Sequence, residues 1–179
     1  MKASDLISEL ETYTKSHLEK AENFKMRSLE ELSKKSSPEK WNVLECLEHL
    51  NIYGDFYIPE MKRKMENSQL SNSSEFKTGL LGNYFAKMML PKEKLNKMKT
   101  MKKTNPISKQ LDKNVIDKFI LQQHQLLELL ETAKGKNLNK IKTGISIANW
   151  IKLKLGDTFR VVIYHNERHI QQVEKALIG

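Results

Sequence analysis

The chain has 179 residues, 39% hydrophobic and 30% charged, which suits one soluble domain, residues 1–179, long enough to bury a real core. No run approaches the roughly 18 consecutive apolar residues of a membrane span, and Met1 to Leu6 leads into a charged periodic segment rather than the apolar centre of a signal peptide. The single Cys46 excludes an internal disulfide, so a cytoplasmic protein without a transmembrane segment is expected.

The net charge of +9 comes from 31 basic against 22 acidic residues, and lysine dominates it. Arg occurs only at Arg27, Arg63, Arg160 and Arg168. Proteins that read bases and phosphates lean on the planar fork of Arg, so no specific nucleic-acid partner is expected.

In chain order, residues 3 to about 35 read as one long helix, with Leu6, Ile7, Leu10, Tyr13, Leu18, Phe24, Met26 and Leu29 near helical spacing. Ser36 to Trp41 breaks it. Asn42-Val43-Leu44-Glu45 then has the form of a capping box opening a second helix to about Asn67. Pro59 inside it is either a kink or the helix's practical end. Residues 68 to 107 read as irregular. Gly79 to Pro91 is a short apolar patch suited to a lid, a docking segment or an interfacial anchor. Lys92, Lys94, Lys97, Lys99, Lys102 and Lys103 follow, as a solvated loop or a binding patch. A third helix is expected from about Ser108 to Lys134, closed by Gly135. Residues 136 to 154, with Trp150, read as irregular and without a convincing strand pattern. Gly156-Asp157 opens the last helix, to about Leu177, with Asp157 as its candidate cap. Four long amphipathic helices with a long second-to-third connection imply an all-α fold, a four-helix bundle.

Within "YHNERH", Tyr164 to His169, two histidines stand four apart. At 100° per residue, Val161, Val162, Thr158, His169, Gln172 and Ala176 fall within about 60° of His165, the core-facing side. Asn166, Glu167, Glu174 and Lys175 are expected mostly on the polar face. The spacing resembles the zinc-protease H-E-x-x-H, but Glu167 projects about 200° from His165, so it cannot serve as a base beside a metal held there. A third ligand must come from elsewhere, and His49 on the second helix is the best candidate. Its face carries Asn42, Glu45, Ile52, Tyr53 and Phe56. Three neutral imidazoles suit divalent zinc, nickel, iron or cobalt and leave positions open for water or substrate. His17 and His124 lack such a partner and read as surface or structural. Cys46 is either a further ligand or a buried inert thiol.

The residues also carry a family resemblance. "KWNVLECLEHL" (Lys40 to Leu50) resembles the W-S-x-x-E-x-x-x-H-L opening of the second helix in the DinB-like superfamily, the DNA-damage-inducible bundle proteins. "VVIYHNERHIQQVEKAL" (Val161 to Leu177) resembles that family's last helix, and "KMKTMKKTNP" (Lys97 to Pro106) a basic, proline-ended segment of some members. The likeness covers essentially the whole layout. It implies a DinB-like bundle with a divalent-metal site of His49, His165 and His169, acting as a hydrolase or as a thiol S-transferase with a low-molecular-weight thiol. Asn42 departs from the usual Ser or Thr but keeps the capping chemistry.

The leading expectation is therefore a metal-dependent enzyme acting on a small molecule, with water or a thiol activated at the metal. Glu45, one turn before His49, either orients a ligand, accepts a proton as a catalytic group, or only caps its helix. Gln172 is a candidate outer donor, and the Gly79 to Pro91 patch could cover the mouth. The alternatives are a non-catalytic metal- or ligand-binding stress-response bundle, and an electrostatic partner of nucleic acid or membrane through Lys87 to Lys103. Exposed bundle faces are compatible with a homodimer.

Overall fold

The computed structural model describes residues 1–91, 100–107 and 109–178, without the side chains of Asn149 and Ile178. Helix α1 is Ala3–Lys25 and buries Leu6, Ile7, Leu10, Ala21 and Phe24 along one stripe. The single helix expected to about residue 35 is instead two. The Ser28 hydroxyl accepts from the Glu31 amide at 3.2 Å, and the Glu31 carboxylate accepts from the Ser28 amide at 2.9 Å. This capping box starts a short α2, Leu29–Ser33, on a new axis.

The expected box at Asn42 and Glu45 is present. The Glu45 amide donates to Asn42 Oδ1 at 2.8 Å, and the Asn42 amide to Glu45 Oε2 at 3.0 Å. It opens α3, Val43–Glu66, which continues through Pro59. The patch read as irregular contains α4, Leu80–Met89, followed by a 3-10 turn at Lys102–Thr104. Lys92, Lys94, Lys97 and Lys99 lie outside the described residues. Helix α5 is Asn114–Ala133 and starts later than expected. Asp112 Oδ1 takes the Asn114 amide at 2.9 Å, a turn that precludes helix before it. Gly135 follows its end, as expected.

A hairpin occupies the stretch that showed no convincing strand pattern. Strand β1 (Lys142–Ile145) pairs antiparallel with β2 (Ala148–Lys154), with a register slip between Gly144 and Ile145. Leu153 turns inward while Trp150 and Lys152 face out. Helix α6, Leu155–Ile178, follows β2 without a loop. Asp157 lies inside its first turn rather than capping it. Its carboxylate crosses instead to the start of α4, accepting from the Gly79 amide at 2.8 Å and from the Thr78 hydroxyl. There a negative charge meets the positive end of the α4 dipole.

Helix α1 packs on α5 and α6, and α3 packs on the same two, so the long helices close a ring in the order α1–α5–α3–α6. The all-α bundle is thus as expected, with a small hairpin added. Two apolar clusters fill it. One gathers Leu44, Leu47, Ile116, Phe119, Ile170 and Val173; the other gathers Leu10, Met61, Leu126, Leu130, Phe159 and Ile163. Burying each such side chain is worth about 1.5–3 kcal/mol. Polar side chains from all four helices bond between helices within the bundle: His17 with Glu167, Asn166 with Gln123, and Asn51 with the Val115 carbonyl.

Residues 161–170 of α6 are all buried. This corrects the expected polar face, since Asn166 and Glu167 are only 5% and 8% exposed. The reason is position: α1 and α3 flank α6 within the ring, and α4 packs on it from outside.

Candidate metal centre

The capping box fixes where α3 begins, and His49 falls one turn beyond Glu45 on its inward side. Across the bundle, α6 presents His165 and His169 one turn apart. The structure brings the three together: one ring nitrogen of each lies within 4.8 Å of the other two, and all three side chains are buried. His49 Nε2 and His165 Nε2 are 3.3 Å apart. Two nitrogens bound to one ion at about 2.0–2.1 Å with tetrahedral angles would be separated by about the same distance.

The outer nitrogens fix the ring orientations. His49 Nδ1 donates to the Thr104 carbonyl at 2.7 Å, and His169 Nδ1 donates to Gln172 Oε1 at 3.1 Å. A proton held on each Nδ1 leaves Nε2 as the lone-pair nitrogen, the arrangement metal-binding histidines use. Gln172 acts here as an acceptor, where a donor was expected.

Burial holds all three imidazoles neutral. It lowers His49 below the ordinary histidine value, against the Thr104 carbonyl, which works the other way. It pushes His169 down to about 3, with further repulsion from His49 and Arg168. His165 is held well below its usual range by burial and then by His169, His49 and Arg168. Such nitrogens need lose no proton at neutral pH before binding a cation.

Aromatic rings wall the cluster. Trp41 lies 4.7 Å from His49 and 5.7 Å from His169, centroid to centroid, anchored by its indole N–H on Asn105 Oδ1 at 3.1 Å. Tyr53 lies 5.0 Å from His49 and 4.8 Å from His165. The histidines open onto a cleft of about 840 Å³ bounded by α3, α4, the hairpin and α6.

Other candidates fall elsewhere. The Glu45 carboxylate is engaged by the Asn42 amide and by Lys35 Nζ at 2.7 Å, and it is not among the residues lining the cleft. Glu167 turns toward α1, accepting from His17 Nε2 at 2.9 Å and from Gln171 at 2.7 Å, and the His17 bond holds its carboxyl below the usual range. That placement agrees with its exclusion as a metal-site base. His17 is a buried structural residue and His124 is exposed. Burial pushes the Cys46 thiol up to about 12, the inert state of the two considered for it. Thr104, Arg168 and the hairpin were not anticipated. Thr104 contributes a backbone carbonyl from 55 residues away, which no side-chain pattern encodes.

No helix among the described residues is long and apolar enough to cross a membrane. The family model of the DinB superfamily matches residues 12–173. No curated protein and no solved structure matches the chain.

Proposed function

The chain belongs to the DinB superfamily, and on that premise we propose that His49, His165 and His169 hold one divalent ion, zinc, nickel or iron, at the centre of a metal-dependent enzyme. The observation that carries this reading is the convergence of three buried imidazoles, two of them with Nδ1 tied to an acceptor, and with the Nε2 atoms of His49 and His165 facing one another.

When bound, the ion supplies a positive centre at which water or a low-molecular-weight thiol gives up its proton near neutral pH, the chemistry of a hydrolase or a thiol S-transferase. The protein's own groups prepare that step. Thr104 and Gln172 fix the rings of His49 and His169, so ligand geometry is set before the substrate arrives. Trp41 and Tyr53 cover the imidazoles and limit water around the reacting atoms. The cleft gives a small molecule access. Glu45 enters as a positioning residue. Through the Asn42 box it sets the first turn of α3, and therefore the height of His49 along the bundle.

Metal analysis of the wild type beside His165→Ala tests the proposal. One ion per chain in the wild type and none in the variant is the expected result. Absence of stoichiometric metal after stripping and reloading overturns it. In Glu45→Gln, a loss of stability with unchanged turnover per bound metal identifies a positioning role, and a loss of turnover at full occupancy a catalytic one.

A further inference from the structure

Helix α4 is apolar almost all round. Of its ten residues, only Asn83, Lys87 and the Tyr84 hydroxyl bring polar side-chain groups. A helix of that composition is covered on all sides in a folded protein, yet α4 is covered on one. It buries Gly82 and Ala86 and turns Phe85 and Met89 to the cleft. Leu80 is 97% exposed, and Leu81 and Tyr84, within about 100° of it on the helix, are exposed as well.

The hairpin adjoins this surface through Lys154. Its Nζ donates to the Lys77 carbonyl, and its stem lies 3.8 Å from where a Cβ on Gly79 would stand, at the start of α4. On β2, Trp150, Lys152 and Lys154 alternate with the inward Leu153, and Lys142 of β1 stands opposite Lys154. Trp150 is 83% exposed.

The charge here has one sign. Lys77, Lys87, Lys142 and Lys152 are exposed. In sequence, no Asp or Glu occurs between Glu75 and Glu93 or between Glu131 and Asp157. Asp157 and Glu60 reach these elements from beneath, and both are engaged. Asp157 is buried against Thr78 and Gly79, and Glu60 takes the Gly144 amide at 3.0 Å together with Arg63. A second copy of the chain would set the same lysines against one another across a two-fold contact, which like charges oppose. Nucleic acid would meet the lysines but gain little from Leu80 and Leu81. An anionic lipid surface uses both sets. Apolar side chains enter its headgroup boundary, where Trp and Tyr are favoured, and lysines meet its negative charge.

We propose that α4 and the hairpin form a docking face for an anionic phospholipid bilayer. Leu80, Leu81, Tyr84 and Trp150 enter the headgroup region, and Lys77, Lys87, Lys142 and Lys152 bind its charge. The protein lies on the surface without crossing it. Docking draws on none of the three histidines, so the proposal is independent of the metal reading.

Flotation of the full-length protein with vesicles tests it, using phosphatidylcholine alone and an equal mixture of phosphatidylcholine and phosphatidylglycerol. The protein is expected to float with the mixed vesicles. Binding should weaken roughly tenfold or more on phosphatidylcholine alone, and also when salt rises from about 0.1 to about 0.5 M. Tryptophan emission should shift to the blue on binding, and Trp150→Ser should abolish the shift. Lys142→Gln/Lys152→Gln should weaken binding about fivefold per lysine, and Leu80→Ser/Trp150→Ser roughly tenfold or more. All four side chains are exposed, so these variants should keep the wild-type circular dichroism. No flotation with mixed vesicles, equal binding to phosphatidylcholine alone, or binding unchanged in Leu80→Ser/Trp150→Ser overturns the proposal. So does a solution dimer that Leu80→Ser/Trp150→Ser separates, or a duplex DNA complex that requires Leu80 and Trp150.

Discussion

His17 on α1 and Glu167 on α6 meet at 2.9 Å inside the bundle, on the side of α6 turned away from His165 and His169. Glu167 thus joins the inter-helix contacts that set the rotation of α6, and with it the direction of both candidate ligands. Gln171 takes the second carboxylate oxygen. Replacing His17 by Leu leaves a buried carboxylate with one partner fewer, and is expected to cost about 2–4 kcal/mol. Urea unfolding measures it. The double variant His17→Leu/Glu167→Leu should recover part of the loss, because it removes the unpaired charge along with its partner.

Gln172 accepts from His169 Nδ1 and lies outside the three imidazoles. Gln172→Leu should keep the helical circular dichroism of the wild type while lowering metal affinity about 10- to 100-fold. Competition with a chromophoric chelator reads that change. An unchanged affinity would mean that the bond does not orient the ring.

Acid should weaken the metal-free protein. His49, His165 and His169 titrate below the ordinary histidine value when folded, so between that value and their folded values the unfolded chain binds more protons. Their contribution is full above pH about 6.5 and is lost as pH falls below it, by about 1.4 kcal/mol per pH unit for each histidine that stays neutral. Urea midpoints at pH 7.5, 6.5 and 5.5 check the slope. The variant His165→Ala/His169→Ala should show a flatter profile, and saturating metal should hold the wild type more stable at every pH in the series.

Gly82 lets α4 lie against α6. A Cβ there would fall 2.3 Å from Asp157 Cγ and Oδ2, and Asp157 is fully buried and held by Thr78 and Gly79. Gly82→Ala should therefore push α4 outward despite the gain in helix propensity, at a net cost of about 1–3 kcal/mol. Faster hydrogen exchange confined to Leu80–Met89 and its contacts on α6 would mark the displacement.

The long helices were legible because each carries an apolar stripe of helical period, and the opening of α3 because Asn42 and Glu45 form a box whose chemistry is local. The histidine triad was legible for the same reason: His165 and His169 share a face by spacing, and His49 lies on the buried side of α3. The break before α2 carried an equally local signal in Ser28 and Glu31, masked by the apolar periodicity running through it. The hairpin was harder. Ile151 and Leu153 alternate with Trp150 and Lys152, but the register slip interrupts the pattern and leaves only a short run. The burial of Asn166 and Glu167 could not be read from α6 alone, because it depends on His17 and Gln123, which come from other helices.

The supports of the cleft also divide labour. The ring of α1, α5, α3 and α6 holds most of the apolar core and all three histidines, whereas Met88, Met89 and Leu153 stand on two insertions between ring helices. Changes in those insertions can reshape the cleft without reopening the ring, so a lineage could alter which molecules fit through α4 and the hairpin while the three imidazoles keep their places.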